Sequence, residues 1–166
     1  LLRSEGIQYV PAPVFMSPQN AREASGMMVF SGQTSDALQQ HLTAMTGKLL
    51  HAGERPDLAA AYKLAGNSVY FAMTAAMHDV LAIGRGCDID DALMLSLFDV
   101  FKVGHAVPFV GAHVARGGRD PASFELSMAR KDAQLMQDAA NNHPTIALPA
   151  IAEAMDRAIA RGHGSS

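Results

Sequence analysis

The sequence contains little of what disulfide-linked, metal-binding and nucleic-acid-binding proteins depend on. Its 166 residues include no tryptophan and a single cysteine, Cys87. One cysteine excludes an internal disulfide and a cysteine-based metal site, and it fits a cytoplasmic protein. The 16 acidic residues outnumber the 13 Lys and Arg, the net charge is −3 and no basic run occurs, so no nucleic-acid partner is predicted.

Histidine and long apolar runs also give little support for a metal site or a membrane span. The most apolar window, Leu64–Met77, is shorter than the roughly 20 residues that a membrane helix needs, so we predict a buried helix and no membrane partner. No two histidines form a His-x-x-x-His pair, so no metal is predicted. The scattered histidines are His41, His51, His78, His105, His113, His143 and His163.

The hydrophobic pattern changes about one third of the way along the chain. Before that point, β-rich runs alternate with amphipathic helices, and we predict strands at Ile7–Val10, Met27–Ser31 and Lys48–His51. After it only helices are predicted, and the first, Pro56–Arg85, is rich in Ala and Met on nearly all sides. The sequence therefore predicts a mainly α protein: a short α/β part, then an all-α domain around one long buried helix.

The boundary between the two parts is predicted at Gly53-Glu54-Arg55-Pro56. Residues 1–54 form the α/β part and residues 55–166 form the all-α domain. The chain begins with Leu, and Leu1–Gly6 is typical of a helix end closed by glycine. We therefore expect a piece of a longer protein.

Two polar side chains interrupt the predicted long helix near its start. Lys63 and Asn67 are four residues apart, so they project from one face, one turn apart. A functional interpretation makes Lys63 a general acid/base beside a bound carbonyl or alcohol, with Asn67 hydrogen-bonding the substrate and Tyr70 lining the pocket. The alternative is a lysine whose stem packs on apolar surface and an asparagine packed against a loop. Spacing alone leaves both interpretations open.

Lys63 and Asn67 also belong to a series of short motifs that covers essentially the whole chain. The series resembles the β-hydroxyacid dehydrogenases, which include 3-hydroxyisobutyrate dehydrogenase and, more distantly, 6-phosphogluconate dehydrogenase. Each motif is weak alone, but their order and spacing are specific. The segments are Tyr9-Val10-Pro11-Ala12-Pro13-Val14, Ala24-Ser25-Gly26-Met27-Met28-Val29-Phe30-Ser31-Gly32, Ala61-x-Lys63-Leu64-x-x-Asn67, Phe124-x-x-x-Met128-x-x-Lys131-Asp132 and Gly162-His163-Gly164.

The resemblance implies a Rossmann domain that binds NAD or NADP, followed by an all-α domain that opens with a long helix. In that family a lysine at the start of this helix transfers a proton to or from the substrate oxygen. That role falls on Lys63, and substrate binding falls on Asn67. The implied reaction interconverts a small β-hydroxyacid and its semialdehyde or keto form, in a homodimer or homotetramer built through the long helices.

The resemblance also assigns a substrate loop and a cofactor contact. The loop that holds the substrate carboxylate through backbone N–H groups falls on Phe15, Met16 and Ser17. Lys131 and the nearby Phe124 correspond to positions at which members of the family contact the cofactor.

Three departures from the family's pattern bear on these expectations. Phe15-Met16-Ser17 is bulkier than the usual Ser-Gly-Gly, which leaves open a larger or less polar substrate. Lys63 argues against the related imine reductases, in which an Asp or Tyr usually stands. No Gly-x-Gly-x-x-Gly follows a strand, so residues 1–54 match only the last part of a Rossmann domain. This chain alone is therefore predicted to be inactive.

A second hypothesis belongs to another functional class. A helix that is apolar on nearly all sides fits an interface between two copies of a chain. The chain would then be a helical dimerisation module without catalytic activity of its own.

Overall fold

The structure is a computed structural model that describes residues 5–6, 9–117 and 124–165. The chain divides into two compact units, Leu1–Phe71 and Ala72–Ser166. The predicted helix end at residues 1–6 and the predicted strand Ile7–Val10 lie partly outside the described residues. The predicted domain boundary after residue 54 stays a prediction.

The described chain is mainly helical with a small three-stranded sheet near its start, as the sequence predicted. The elements are β1 (Val14–Phe15), α1 (Pro18–Arg22), β2 (Met27–Phe30), α2 (Asp36–Ala44), β3 (Lys48–His51), α3 (Leu58–Gly86), α4 (Asp91–Val100), a 3₁₀ turn (Val103–Ala106), α5 (Val107–Ala115), α6 (Leu126–Ala140), α7 (Leu148–Ala158) and a short irregular helical turn (Ile159–His163).

The sheet has the order β1-β2-β3, with β1 antiparallel and β3 parallel to the central strand. Two proline carbonyls extend the pairing of β1 with β2: Pro13 accepts from the Val29 N–H at 3.0 Å, and Pro11 accepts from the Ser31 N–H at 3.3 Å. Proline has no N–H to donate, so it suits a strand that pairs on one side. The strand predicted at Tyr9–Val10 is wrong for these two residues, because regular pairing begins only after the prolines.

The core of the first unit lies between this sheet and α2. Met28, Phe30 and Leu42 are buried together. The Ser35 hydroxyl begins α2 by accepting a hydrogen bond from the Leu38 N–H at 3.3 Å.

A buried hydroxyl connects the end of β2 to the start of α3. Ser31 donates to the Pro56 carbonyl at 2.8 Å and accepts from the Ala59 N–H at 3.0 Å, and both Ser31 and Ala59 are fully buried. The first N–H groups of a helix have no partner within it. Ser31 therefore caps α3 from a strand that ends 28 residues earlier, and this contact holds the first turn of α3 against the sheet.

The prediction that the long helix is buried on all sides is wrong for this chain by itself. In the first unit Leu64, Val69 and Phe71 of α3 are 71%, 61% and 70% exposed. In the second unit α3 buries Asp79 and Ala82. Composition predicted an apolar helix correctly, but the described elements are too few to cover every face of 29 residues.

The second unit is organised around a buried carboxylate of α3. Asp79 is 4% exposed, and its two oxygens accept N–H bonds from Ile146, Ala147 and Leu148, the last two at 2.9 and 2.7 Å. These amides form the N-terminus of α7, where a negative charge is favourable. Asp79 therefore holds α7 on α3.

Two further contacts close the second unit. An added Cβ on Gly86, at the end of α3, would lie 2.1 Å from the Ala139 carbonyl oxygen, so only glycine permits this approach to the end of α6. Nearer the start of α6, the Arg130 guanidinium donates to Asp156 of α7 at 2.8 Å.

Within the described ranges, no single helix is long and apolar enough to cross a membrane. One bent pair, Asp91–Val100 with Val103–Ala115, meets the requirement by length and composition alone, with a bend of 46° between its members.

Replacing Ser31 by Ala is expected to destabilise the fold. The Pro56 carbonyl and the Ala59 N–H would lose their hydroxyl partner in a buried place, which typically lowers the free energy of unfolding by about 1–3 kcal/mol. Urea denaturation measures the loss. Ser68→Ala is the matched control, because its exposed hydroxyl bonds only to the Ala65 carbonyl of its own helix. Equal stability of the two variants would contradict the role of Ser31.

Replacing Asp79 by Asn is expected to loosen the start of α7. The amide group retains one accepting oxygen, so at least one of three inward-facing N–H groups loses its partner, at a cost of about 1–3 kcal/mol. Amide hydrogen exchange of Ile146, Ala147 and Leu148 should accelerate at one or more of the three positions. Asp99→Asn, at an exposed position of α4, serves as the control. Unchanged protection of all three amides in the Asp79 variant would disprove the cap.

Candidate functional site

The Lys63 ammonium lies directly on the segment that was predicted as the substrate loop. Its Nζ donates to the Val14 carbonyl at 2.7 Å and lies 4.3 Å from the centroid of the Phe15 ring. The side chain is half-buried, and a cation over the face of an aromatic ring is attracted by the ring's electrons. The structure thus brings together two predicted site residues, Lys63 and Phe15, from elements far apart in the sequence.

Gly66 makes this contact between the loop and the helix sterically possible. An added Cβ on Gly66 would lie 2.5 and 2.6 Å from two carbon atoms of the Phe15 ring, closer than such atoms approach in proteins. The ring therefore rests on the backbone of α3. Sequence reasoning did not single out Gly66, although a glycine inside a helix costs about 1 kcal/mol relative to alanine and so indicates a packing reason.

Ser17, the last residue of the predicted loop, uses its polar groups to begin α1. Its N–H donates to the Asn20 Oδ1 at 3.0 Å, its hydroxyl donates to the same atom at 2.7 Å, and it accepts from the Asn20 N–H at 3.1 Å. This reciprocal arrangement is a capping box. The Ser17 N–H, which was expected to help hold a substrate carboxylate, is therefore already paired.

Met16 packs inward, against the core of the first unit, and lies close to Gly26. A Cβ on Gly26 would lie 2.9 Å from the Met16 Cγ. Of the three predicted loop residues, Phe15 is therefore the one whose side chain contacts Lys63.

Asn67 and Tyr70 follow Lys63 along α3. Asn67 is half-buried, and among the described residues no side chain hydrogen-bonds to its carboxamide. Tyr70 is 63% exposed. In the described part of the chain the Lys63 ammonium is directed to the Val14 carbonyl and does not hydrogen-bond to Asn67. The carboxamide therefore lies one turn beyond the ammonium on the same helix.

An apolar hollow of about 590 Å³ lies beside this polar pair in the first unit. Four of the helix residues that line it are spaced as one face of α3, adjacent to the face that carries Lys63. No residue of its lining carries a charge, and the Phe15 ring both lines the hollow and contacts Lys63. The lining residues are Phe15, Met27, Val29, Leu50, Ala61, Tyr62, Ala65, Gly66 and Val69.

The two predicted cofactor contacts belong to the second unit. The Phe124 ring is 55% exposed just before α6, and Lys131 is exposed on that helix without an ion pair to any described residue. A ring and a cation are chemically suited to contact a nucleotide. They do not form the glycine-rich backbone cradle that a dinucleotide pyrophosphate needs.

The sequence matches no protein-family model and no curated protein. Its structure resembles solved structures of imine reductases and reductive aminases. These include an imine reductase variant from Myxococcus stipitatus in complex with NAD+, with a TM-score of 0.79 and 22% identity, covering 99% of this chain and 60% of that one. An imine reductase from Pseudomonas sp. has a TM-score of 0.85 and 16% identity, covering 99% and 59%.

A third similar structure is a reductive aminase from Aspergillus terreus in complex with NADPH4, cyclohexanone and allyl amine. Its TM-score is 0.82 at 17% identity, covering 98% of this chain and 59% of that chain. The chain thus spans about 60% of the length of the structures it matches, and the likeness establishes a shared fold. The argument that Lys63 is atypical of imine reductases concerns the catalytic residue. A shared fold does not test it, so it stays a prediction.

Proposed function

We propose that this chain carries the substrate side of an NAD(P)-dependent oxidoreductase, with Lys63 as the general acid/base. The observation that supports this best is the half-buried Lys63 ammonium, held at the start of a long helix beside an apolar hollow. The similar fold of solved reductases in complex with NAD+ and NADP+ adds support. Because no Gly-x-Gly-x-x-Gly follows a strand in the sequence, the proposal includes that this chain alone is inactive.

The chemistry of the site follows from the donors on Lys63. An ammonium has three N–H donors, and Val14 accepts one, so the others remain for a substrate oxygen. Lys63 donates a proton to the carbonyl oxygen during reduction, and the neutral amine removes it during oxidation. Asn67, one turn further on, hydrogen-bonds the same substrate. A bound nicotinamide cofactor, NADP or NAD, supplies or accepts the hydride.

Two substrate classes are open for this site. The resemblance of the sequence motifs favours a small β-hydroxyacid and its semialdehyde or keto form. The similar solved structures include a reductive aminase in complex with the neutral ketone cyclohexanone. We further propose Lys131 and Phe124 as cofactor contacts, since both side chains are exposed in the second unit.

Replacing Lys63 by Ala is expected to lower kcat by about 10²–10⁴-fold, the usual contribution of a general acid/base. The assay uses the protein that includes the nucleotide-binding segment, and cofactor affinity, measured by NADPH and NADH fluorescence titration, should be unchanged. Lys48→Ala, an exposed lysine of β3, is the control. Full activity of the Lys63 variant would remove the acid/base assignment. Absence of cofactor binding by the longer protein would remove the oxidoreductase proposal.

A second candidate function is association with another copy of the chain, as a homodimer or homotetramer. Exposed large apolar residues support it in each unit, and all of them are between 69% and 82% exposed: Leu64 and Phe71 in the first, and Val100, Phe109 and Val114 in the second. Apolar surface of this kind on helices is typical of subunit interfaces. A chain without the cofactor cradle would retain this function.

Sedimentation at several concentrations is expected to show a dimer or tetramer that dissociates on dilution. Phe109→Asp should shift the equilibrium toward monomer by at least about tenfold, because a charge would be buried in the interface. Tyr9→Asp, an exposed aromatic residue outside the helices, is the control. A monomer at high micromolar concentration would contradict the association proposal.

A further inference from the structure

We propose that Phe15, seated on Gly66, determines the substrate class of the Lys63 site. It selects a carbonyl compound with an apolar substituent and disfavours one that carries a carboxylate near the carbonyl. This inference rests on the proposed function, and it decides between the two substrate classes left open there.

The first argument is the position of the ring. Phe15 places an aromatic face 4.3 Å from the Lys63 Nζ, so the ring occupies one side of the proton donor. The face of an aromatic ring carries negative electrostatic potential. Where the Lys63 ammonium does not cover this face, a carboxylate meets that negative potential, whereas an apolar group packs on the ring without electrostatic cost.

The second argument is that the donors of Ser17 are already paired. A carboxylate in a protein site needs N–H or O–H donors to replace its water. The N–H and the hydroxyl of Ser17 both donate to Asn20. The capping box therefore occupies the donors of Ser17, and an anionic substrate would have to break it to bind Ser17.

The third argument is the hollow itself. Its volume of about 590 Å³ lies within the range of small-molecule sites, roughly 300–1,000 Å³. Its walls are apolar and uncharged, and Phe15 joins it to Lys63. An alkyl or ring substituent of the substrate is stabilised in such a place, whereas a carboxylate loses its hydration there.

Gly66 allows the Phe15 ring to pack directly on the backbone of α3. Because an added Cβ would lie 2.5 Å from the ring, the ring is in direct contact with the helix backbone. A larger residue at 66 would push the ring away from this position, which makes Gly66 a positioning residue for Phe15.

The decisive assay compares kcat/KM for a neutral aliphatic ketone and for a keto-carboxylate of equal chain length, in the protein that includes the nucleotide-binding segment. The native protein should prefer the neutral ketone by at least about tenfold, and Phe15→Ser should reduce this preference by at least about tenfold. Phe15→Tyr should retain most of it. Tyr9→Ser is the control, since it removes an exposed aromatic residue of the same unit.

The outcomes separate the two proposals. A preference for the carboxylate, or a ratio unchanged by Phe15→Ser, overturns the inference and leaves the proposed function intact. No reduction of any carbonyl compound by the native protein overturns the proposed function itself.

A measurement without activity tests the geometry in this chain alone. The ring current of Phe15 should shift the NMR signals of the Lys63 ε-methylene protons upfield. Phe15→Leu should abolish this shift and Gly66→Ala should reduce it, whereas Ser68→Ala should leave it unchanged. A shift that survives Phe15→Leu would show that the ring does not lie on the ammonium, and the inference would fail.

Discussion

The buried hydroxyl of Ser31 is the interaction on which the candidate site depends. It bonds at once to the Pro56 carbonyl and to the Ala59 N–H, so the end of the central strand and the first turn of the long helix hold each other in place. Lys63 follows one turn later on the same helix. Because an α-helix is rigid over this distance, the position of Ser31 determines where the ammonium meets Val14 and Phe15.

In the second unit a charged side chain makes the same kind of contact with the start of a helix. Asp79 lies inside the unit, and its oxygens accept the N–H groups that begin α7. In both units a buried polar side chain satisfies the open end of a helix that starts far away in the sequence. Unpaired N–H groups in a buried place are costly, so these contacts specify one arrangement of helices within each unit.

The Lys63 site combines a polar face with an apolar one. Phe15 is the residue that belongs to both, since it lies on the ammonium and lines the hollow. Gly66 makes space for the Phe15 ring. The capping box occupies the polar groups of Ser17, which an anion at Ser17 would need. Among the loop residues that depart from the β-hydroxyacid dehydrogenase pattern, Phe15 is thus the one that contacts Lys63 and lines the hollow.

Sequence by itself determined the local elements of this protein. Strand periodicity and turn residues predicted β2 and β3, and the apolar run after Pro56 predicted the long helix, because these signals depend on residues within a few positions of one another. Spacing also placed Lys63 and Asn67 on one helical face. Only the tertiary structure decided that Ser31 caps α3, that Phe15 lies on Gly66, that Asp79 holds α7 and that much of the long helix is exposed. The hydrogen bonds of Ser31, Lys63 and Asp79 join residues 28, 49 and 67 positions apart, and no periodicity within one element carries that information.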